Sequence, residues 1–168
     1  MEKKKKVVLL LGSNIEPRIE YLRKALELLQ EKLGRLVLTS AVYESAPWGF
    51  DAETSFLNQT ALFETEMDPL ETLDVCLEIE KRMGRVRELH DGYVSRTLDV
   101  DILYCGKQTF TGKRLTVPHP RLHQRRFALV PLSEMIPRFR HPVLKKTQGQ
   151  LLAACRDLSD VKLYTAEP

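Results

Sequence analysis

Cysteine is scarce in this sequence, and its spacing is uninformative in a useful way. Cys76, Cys105 and Cys155 lie singly along the 168 residues with no CxxC pattern, which excludes a disulfide framework and a cysteine zinc site. They read as small apolar residues in a reducing compartment. Long hydrophobic runs are also missing. The longest, Val7 to Leu11, is far short of the roughly 20 residues needed to span a bilayer, and the chain lacks the length and cleavage site of a secretory signal. A cytoplasmic protein with no membrane partner is expected. Neither charge sign dominates, and a net charge of +3 gives no ground for a nucleic-acid partner. There is no internal repeat, low-complexity tract or long linker. What remains, 43% hydrophobic and 29% charged residues, is the composition of an ordinary globular chain. A single domain over residues 1–168 follows, with a core over about 6–137 and an extension over 138–168.

The apolar run Val7–Leu11 suits a central strand buried on both faces. Gly12-Ser13-Asn14 ends it, and Pro17 fits the first turn of a helix. Ile19, Leu22, Leu26, Leu29 and Leu33 then follow helical spacing until Gly34. Residues 36–45 alternate and predict one strand. After a loop containing Pro47-Trp48-Gly49, a third strand covers about 56–66, with Leu57, Ala61 and Phe63 on one face. Asp68-Pro69-Leu70-Glu71 combines a cap, a first-position proline and a capping-box glutamate. Leu70, Leu73, Leu77 and Met83 supply the apolar face of that second helix, which Gly84 terminates. A basic loop and a fourth strand at Arg96–Tyr104 complete a βαββαβ order. That order predicts an α+β, ferredoxin-like core, with helices on one face of an antiparallel sheet and the first and fourth strands near one another. Beyond residue 118, Phe127, Leu129, Val130, Leu132 and Ile136, and then Gln150 to Cys155, predict a C-terminal helical extension.

The fourth strand, RTLDVDILY, carries a fault. Its period of two puts Asp99 and Asp101 on one face, although aspartate is a poor strand former and like charges side by side repel. An edge strand that uses charge against aggregation is one explanation. The other is a hard-cation site, since paired carboxylates hold magnesium while substrate phosphates complete its shell.

The surroundings favour the cation. Arg85 and Arg87 follow the second helix, Arg96 stands three residues before Asp99, and a polar run from Arg114 to Phe127 includes His119 between two prolines. Arginine's planar fork suits phosphate oxygens. Arg87 is equally explained as a solvated charge, and His123 is left with that explanation. Phe56, Asn58 and Thr60 share a strand face. Phe56 can stack on a flat ring while Asn58 reads its edge, or the two are simply core and strand-end residues. Glu80 falls on the Leu73/Leu77 side of the second helix, either at its wet end or oriented toward the carboxylates and arginines.

Taken in order, Leu11-Gly-Ser-Asn14, Phe56-Leu-Asn58, Glu80 with Gly84-Arg-Val-Arg87, Arg96-Thr-Leu-Asp-Val-Asp-Ile-Leu103 and Val117-Pro-His-Pro120 closely resemble the 6-hydroxymethyl-7,8-dihydropterin pyrophosphokinase family of the folate pathway. The similarity runs from about residue 7 to 137. It implies transfer of pyrophosphate from ATP to the pterin hydroxymethyl group, with AMP released, by a monomer whose fold agrees with the ferredoxin-like reading. It implies two Mg2+ ions on Asp99 and Asp101, and Arg85 and Arg96 stabilising the transferring group. Arg87, Arg114, His119 and Arg125 would contact ATP. Ser45, Ala46, Trp48, Phe56, Asn58 and Phe127 would line the pterin pocket, with the ring between Phe56 and Phe127. The chain departs from the family at Gly92-Tyr93-Val94-Ser95, where Tyr93 covers the pterin with less area than the usual tryptophan. Two other classes remain to be separated by experiment: a magnesium-dependent nucleotidyltransferase, which would release pyrophosphate, and an RNA-binding sheet, which the carboxylates disfavour.

Overall fold

The computed structural model describes residues 4–45, 55–84 and 97–165. In chain order these form β1 (Lys5–Ser13), α1 (Arg18–Leu33), β2 (Leu36–Thr39), β3 (Tyr43–Ser45), β4 (Phe56–Thr65), α2 (Pro69–Arg82), β5 (Asp99–Cys105), β6 (Phe110–Thr111), β7 (Thr116–Val117), a 3-10 turn (Leu122–Gln124), α3 (Arg126–Met135), α4 (Gln148–Ala154) and β8 (Val161–Leu163).

The apolar run becomes the centre of the sheet. β1 pairs antiparallel with β4 on one side and with β5 on the other. The six-stranded sheet runs β5-β1-β4-β3-β8, with β2 also paired to β4. This is the expected ferredoxin-like α+β arrangement, and the first and last strands of the βαββαβ unit are neighbours as predicted. Because side chains alternate across a strand, β1 serves two cores at once. Val7, Leu9 and Leu11 pack with Leu57, Ala61, Phe63, Val100 and Ile102 beneath α1 and α2. Val8 and Leu10 pack with Leu62, Leu103 and the α3 residues Ala128, Leu129 and Leu132. The expectation of helices on one face holds for α1 and α2, and α3 and α4 close the second face.

Local chemistry explains most of the boundaries. Asp68 accepts from the Glu71 amide at 2.8 Å, and Glu71 returns the bond to the Asp68 amide at 3.2 Å, a capping box. Gly34 ends α1 at φ 138°, where a Cβ would meet the Glu64 carbonyl, so glycine is required. Three details differ from the sequence reading. The strand expected at 36–45 is two strands, because Ser40 is spent on β4: its amide and hydroxyl bond the Thr60 carbonyl and amide, each at 3.0 Å, and the register slips between them. The buried stripe of α2 is Thr72, Val75, Cys76, Ile79 and Glu80, with Leu70, Leu73 and Leu77 half-buried beside it. Small residues fit under the sheet, and the leucines flank it. Finally, no residue pattern signals the β6–β7 hairpin or β8, an added strand on the far edge.

α4 is fastened to the sheet by a buried contact. Gln148 Nε2 donates to the Tyr104 hydroxyl at 2.9 Å and to the Phe139 carbonyl at 3.1 Å, while the Phe139 ring meets Tyr104 edge-on at 4.7 Å.

Candidate active site

The second face of the sheet changes character along its length. Near Val8 it is apolar, and two rows further it is polar. Cross-strand registers place Thr60, Leu10 and Asp101 in one row, and Asn58, Gly12 and Asp99 in the next. Gly12 is therefore the floor between Asn58 on β4 and Asp99 on β5. A Cβ there would lie 2.9 Å from Asn58 Oδ1 and 3.7 Å from the Phe56 ring, so the missing side chain keeps the floor open.

Asp99 and Asp101 share this face, as the period of two requires. They stand on β5, which among the described residues ends the strand order of the sheet. The amide between them, Val100 N, donates to Glu80 Oε2 at 2.8 Å. Glu80 is only 3% exposed, so this bond is made away from water, where it is strengthened. The carboxylate on α2 thus fixes the backbone that carries the pair. Its orientation toward the carboxylate strand, one of the two sequence alternatives, is the one found.

α3 supplies the opposite wall. Arg125 Nη1 is 4.0 Å from Asp101 Oδ2, and the Arg125 guanidinium lies 5.7 Å from the centre of the Phe127 ring. His119 is held in the same neighbourhood. Its amide donates to the Leu103 carbonyl at 3.0 Å, and its Nδ1 accepts from the Arg121 amide at 3.2 Å, which leaves the proton on Nε2. Burial, reinforced by Arg125, pushes this imidazole down to about 4 against the pull of Asp99. His119 is therefore a neutral single donor at pH 7. On the other side, Asn58 Nδ2 donates to Ser45 Oγ at 2.9 Å, and both residues are buried. That bond leaves Asn58 Oδ1 pointing over Gly12.

The two buried cysteines offer no competing chemistry. Burial and the Glu80 and Asp101 carboxylates push the Cys76 thiol far up, and burial raises Cys105 to about 11, so neither supplies a thiolate. Among the described residues no three His, Cys, Asp or Glu side chains are grouped to hold a metal. A cation here would rest on two carboxylates and take its remaining oxygens from substrate and water, which is the habit of Mg2+.

A family model described as 7,8-dihydro-6-hydroxymethylpterin-pyrophosphokinase (HPPK) matches residues 8–137. The chain belongs to this family. The 2-amino-4-hydroxy-6-hydroxymethyldihydropteridine pyrophosphokinase of Bacillus subtilis is 40% identical over 126 residues, 74% of each chain. The enzyme of the same name from Porphyromonas gingivalis is 38% identical over 138 residues, 81% of this chain and 93% of its own. That from Aquifex aeolicus is 40% identical over 140 residues, 83% and 86% of the two chains. Solved structures share the fold. Wild-type HPPK-DHPS from Plasmodium falciparum superposes with a TM-score of 0.74 at 20% identity over 91% of this chain. An HPPK-DHPS in complex with substrates gives 0.76 at 15% identity over 90%. This chain spans 45% and 43% of those longer chains.

Set against the family expectations, Asp99, Asp101, His119, Arg125 and Phe127 come together around one end of the second face, with Ser45, Phe56 and Asn58 across Gly12. Glu80 lies behind the carboxylate strand. Arg114, at the turn of the β6–β7 hairpin, instead reaches Asp74 of α2 at 2.6 Å, where both side chains are exposed. Ala46, Trp48, Arg85, Arg87, Tyr93 and Arg96 lie outside the described residues. Three contributions escaped sequence reasoning. Gly12 was visible as a strand end, but its role needs the register of two neighbours. Arg18 ties the start of α1 to β3 and to the residue before β4, with Nη1 2.6 Å from Glu44 Oε2 and 2.9 Å from the Ser55 carbonyl. Glu134 ties α3 to the strand beside Asn58, accepting from the Ala41 amide at 3.0 Å and the Tyr43 hydroxyl at 2.6 Å. A single arginine or glutamate on a helix carries no sequence signal for such a long-range bond.

Proposed function

We propose that the chain transfers pyrophosphate from ATP to 6-hydroxymethyl-7,8-dihydropterin and releases AMP, with two Mg2+ ions held by Asp99 and Asp101. The observation that carries this reading is Gly12: one open glycine separates a carboxylate pair from an amide-bearing pocket, so two chemically different ligands can meet across it. Family membership supports the reaction class, and the donor set fits the metal. Bound there, Mg2+ would neutralise phosphate charge and align the β-phosphorus.

The chain's own residues divide the remaining work. Asn58 Oδ1 accepts from a flat polar ring lying over Gly12, and Phe56 and Phe127 flank that ring. Neutral His119 donates from Nε2 to an ATP oxygen, and Arg125 adds a fixed positive charge beside Asp101. Arg85 and Arg96 stabilise the transferring group, and Arg87 and Arg114 lie along the nucleotide. For Arg114 this requires leaving Asp74, an exposed pair of the kind that contributes little. Ala46, Trp48 and Tyr93 complete the pterin pocket. The hydroxymethyl oxygen attacks the β-phosphorus in line, its proton leaves to solvent, and the bond to AMP breaks. Such transfer depends on positioning and charge more than on a general base. We extend the proposal to a monomer, which the family resemblance implies, and to the cytoplasm, on composition alone; among the described residues no helix is long and apolar enough to cross a membrane.

Phosphorus NMR of the products tests the reading. ATP, Mg2+ and the pterin should yield AMP and a pyrophosphorylated pterin. ADP, free pyrophosphate or no turnover would reject it, and pyrophosphate would favour the nucleotidyltransferase.

A further inference from the structure

The family match ends at residue 137, yet the chain beyond it reaches back to the wall of the site. α3 begins badly on its own account. Its N-cap is Arg125, whose side chain makes no capping bond and which, as a pure donor, has nothing to offer the free amides of a first turn. Those amides and the positive end of the helix favour a carboxylate. One arrives from 31 residues downstream: Asp157 Oδ2 accepts from the Arg126 amide at 3.1 Å. Its other oxygen accepts from the Ser159 amide at 3.0 Å and from the Ser159 hydroxyl. Burial alone would raise the Asp157 carboxyl, but these bonds and the Arg126 charge outweigh it and hold the group lowered.

The segment that carries Asp157 is fixed on both sides. α4 precedes it, locked through Gln148 to Tyr104. β8 follows it, pairing Val161 with Ser45 of the pocket strand. Tyr164 then donates its amide to the Val42 carbonyl at 2.9 Å, and its ring centre lies 5.8 Å from the Arg18 guanidinium. A carboxylate anchored in this way is a stable reference point for the helix end it touches.

We propose that Asp157 is a positioning residue for substrate binding: it holds the first turn of α3, and through that turn Arg125 and Phe127, in place over the site. The inference rests on the proposed function for its ligand and on geometry for its mechanism. Two readouts separate the parts. Hydrogen exchange at amides 126–129 reports the helix end without any ligand. Fluorescence titration with 6-hydroxymethylpterin, with Mg2+ and a non-hydrolysable ATP analogue present, reports the pocket. Asp157→Ala should speed exchange at 126–129 and raise both the pterin Kd and its KM by roughly three- to tenfold, the effect of a lost cap expressed as affinity. The kcat should stay within about twofold, since the loss is in binding rather than chemistry. Asp157→Asn keeps one acceptor oxygen and should recover part of the affinity. If Asp157→Ala melts earlier while exchange at 126–129, Kd and KM all stay as in the wild type, Asp157 is a brace and the inference is overturned. Faster exchange with unchanged pterin affinity overturns it too. A wild-type protein that binds no pterin overturns the proposed function instead, and with it the ligand half of this inference, while the exchange result still decides whether Asp157 holds the helix.

Discussion

The two faces of one sheet differ more than any two regions of the sequence. Under α1 and α2, strands β1, β4 and β5 present an apolar layer in which Leu9, Leu11, Leu57, Ala61 and Phe63 are fully buried. On the opposite face the same strands are apolar only where α3 and α4 cover them, and they then turn to Asn58, Gly12 and Asp99. The first face spends its side chains on burial. The second buries half its length and leaves the other half polar, flanked by a helix end that carries Arg125 and Phe127. The difference follows from coverage, because a strand buried on both faces along its whole length would have no room for a substrate. The proposed site lies where α3 and α4 stop covering the sheet.

Changes on the apolar face should therefore appear in stability, and changes on the polar end in activity. Leu9→Ala is the largest expected loss of the first kind. It deletes a fully buried side chain opposite Ala61 and Ile102 and should cost about 2–5 kcal/mol in chemical unfolding. The surviving folded protein should keep its pterin Kd. A large shift in that Kd would mean the faces are not separable.

Glu80→Ala crosses the comparison, since Glu80 sits on the apolar side and serves the carboxylate strand. Stranding the buried Val100 amide should cost about 1–3 kcal/mol and also lower kcat through the displaced carboxylates. Glu80→Gln retains an acceptor and should recover stability better than activity. Paired melts and AMP-release rates would show whether the two losses part in this way.

Gly12→Ala is expected to act on the polar end alone. The added methyl meets Asn58 Oδ1, so pterin KM should rise by about tenfold or more while unfolding free energy changes by less than about 1 kcal/mol. An unchanged KM would remove Gly12 from the floor of the site.

A further effect is expected in pH dependence. The His119 imidazole is pushed down to about 4 from an ordinary 6.5. Between those values the unfolded chain binds a proton that the folded chain does not, so stability rises with pH across that window and levels off above it. His119→Gln should flatten the rise in metal-free protein. Melting curves from pH 4 to 7 that keep the same slope in the variant would place the titration elsewhere.

Much of this was legible in the sequence, and for identifiable reasons. Val7–Leu11 announced a strand buried on both faces, Asp68-Pro69-Leu70-Glu71 announced a helix start, and Asp99 and Asp101 stood out because carboxylates contradict a strand. Local signals of this kind survive folding unchanged. What stayed hidden depends on pairing between distant parts. Ser40 broke a strand that alternation alone made continuous, because its hydroxyl found Thr60. Leucine marked the half-buried flank of α2, while Thr72 and Cys76, small enough to lie under the sheet, took the buried stripe. Gly12 gained its meaning only from the register that sets it between Asn58 and Asp99, and Asp157 only from a helix end 31 residues away.

If the carboxylates on the polar end are kept for a cation and cost the fold something, one double variant reveals both. Asp99→Asn/Asp101→Asn removes the like-charge repulsion and keeps an acceptor oxygen and nearly the same shape at each position, at the loss of the ionic part of the 4.0 Å Arg125–Asp101 contact. Thermal unfolding in EDTA and magnesium-dependent AMP release should be measured on the same preparation. The melting temperature should be unchanged or slightly raised, with AMP release abolished. A variant that melts several degrees lower and keeps most of its activity would make the pair structural and contradict the account.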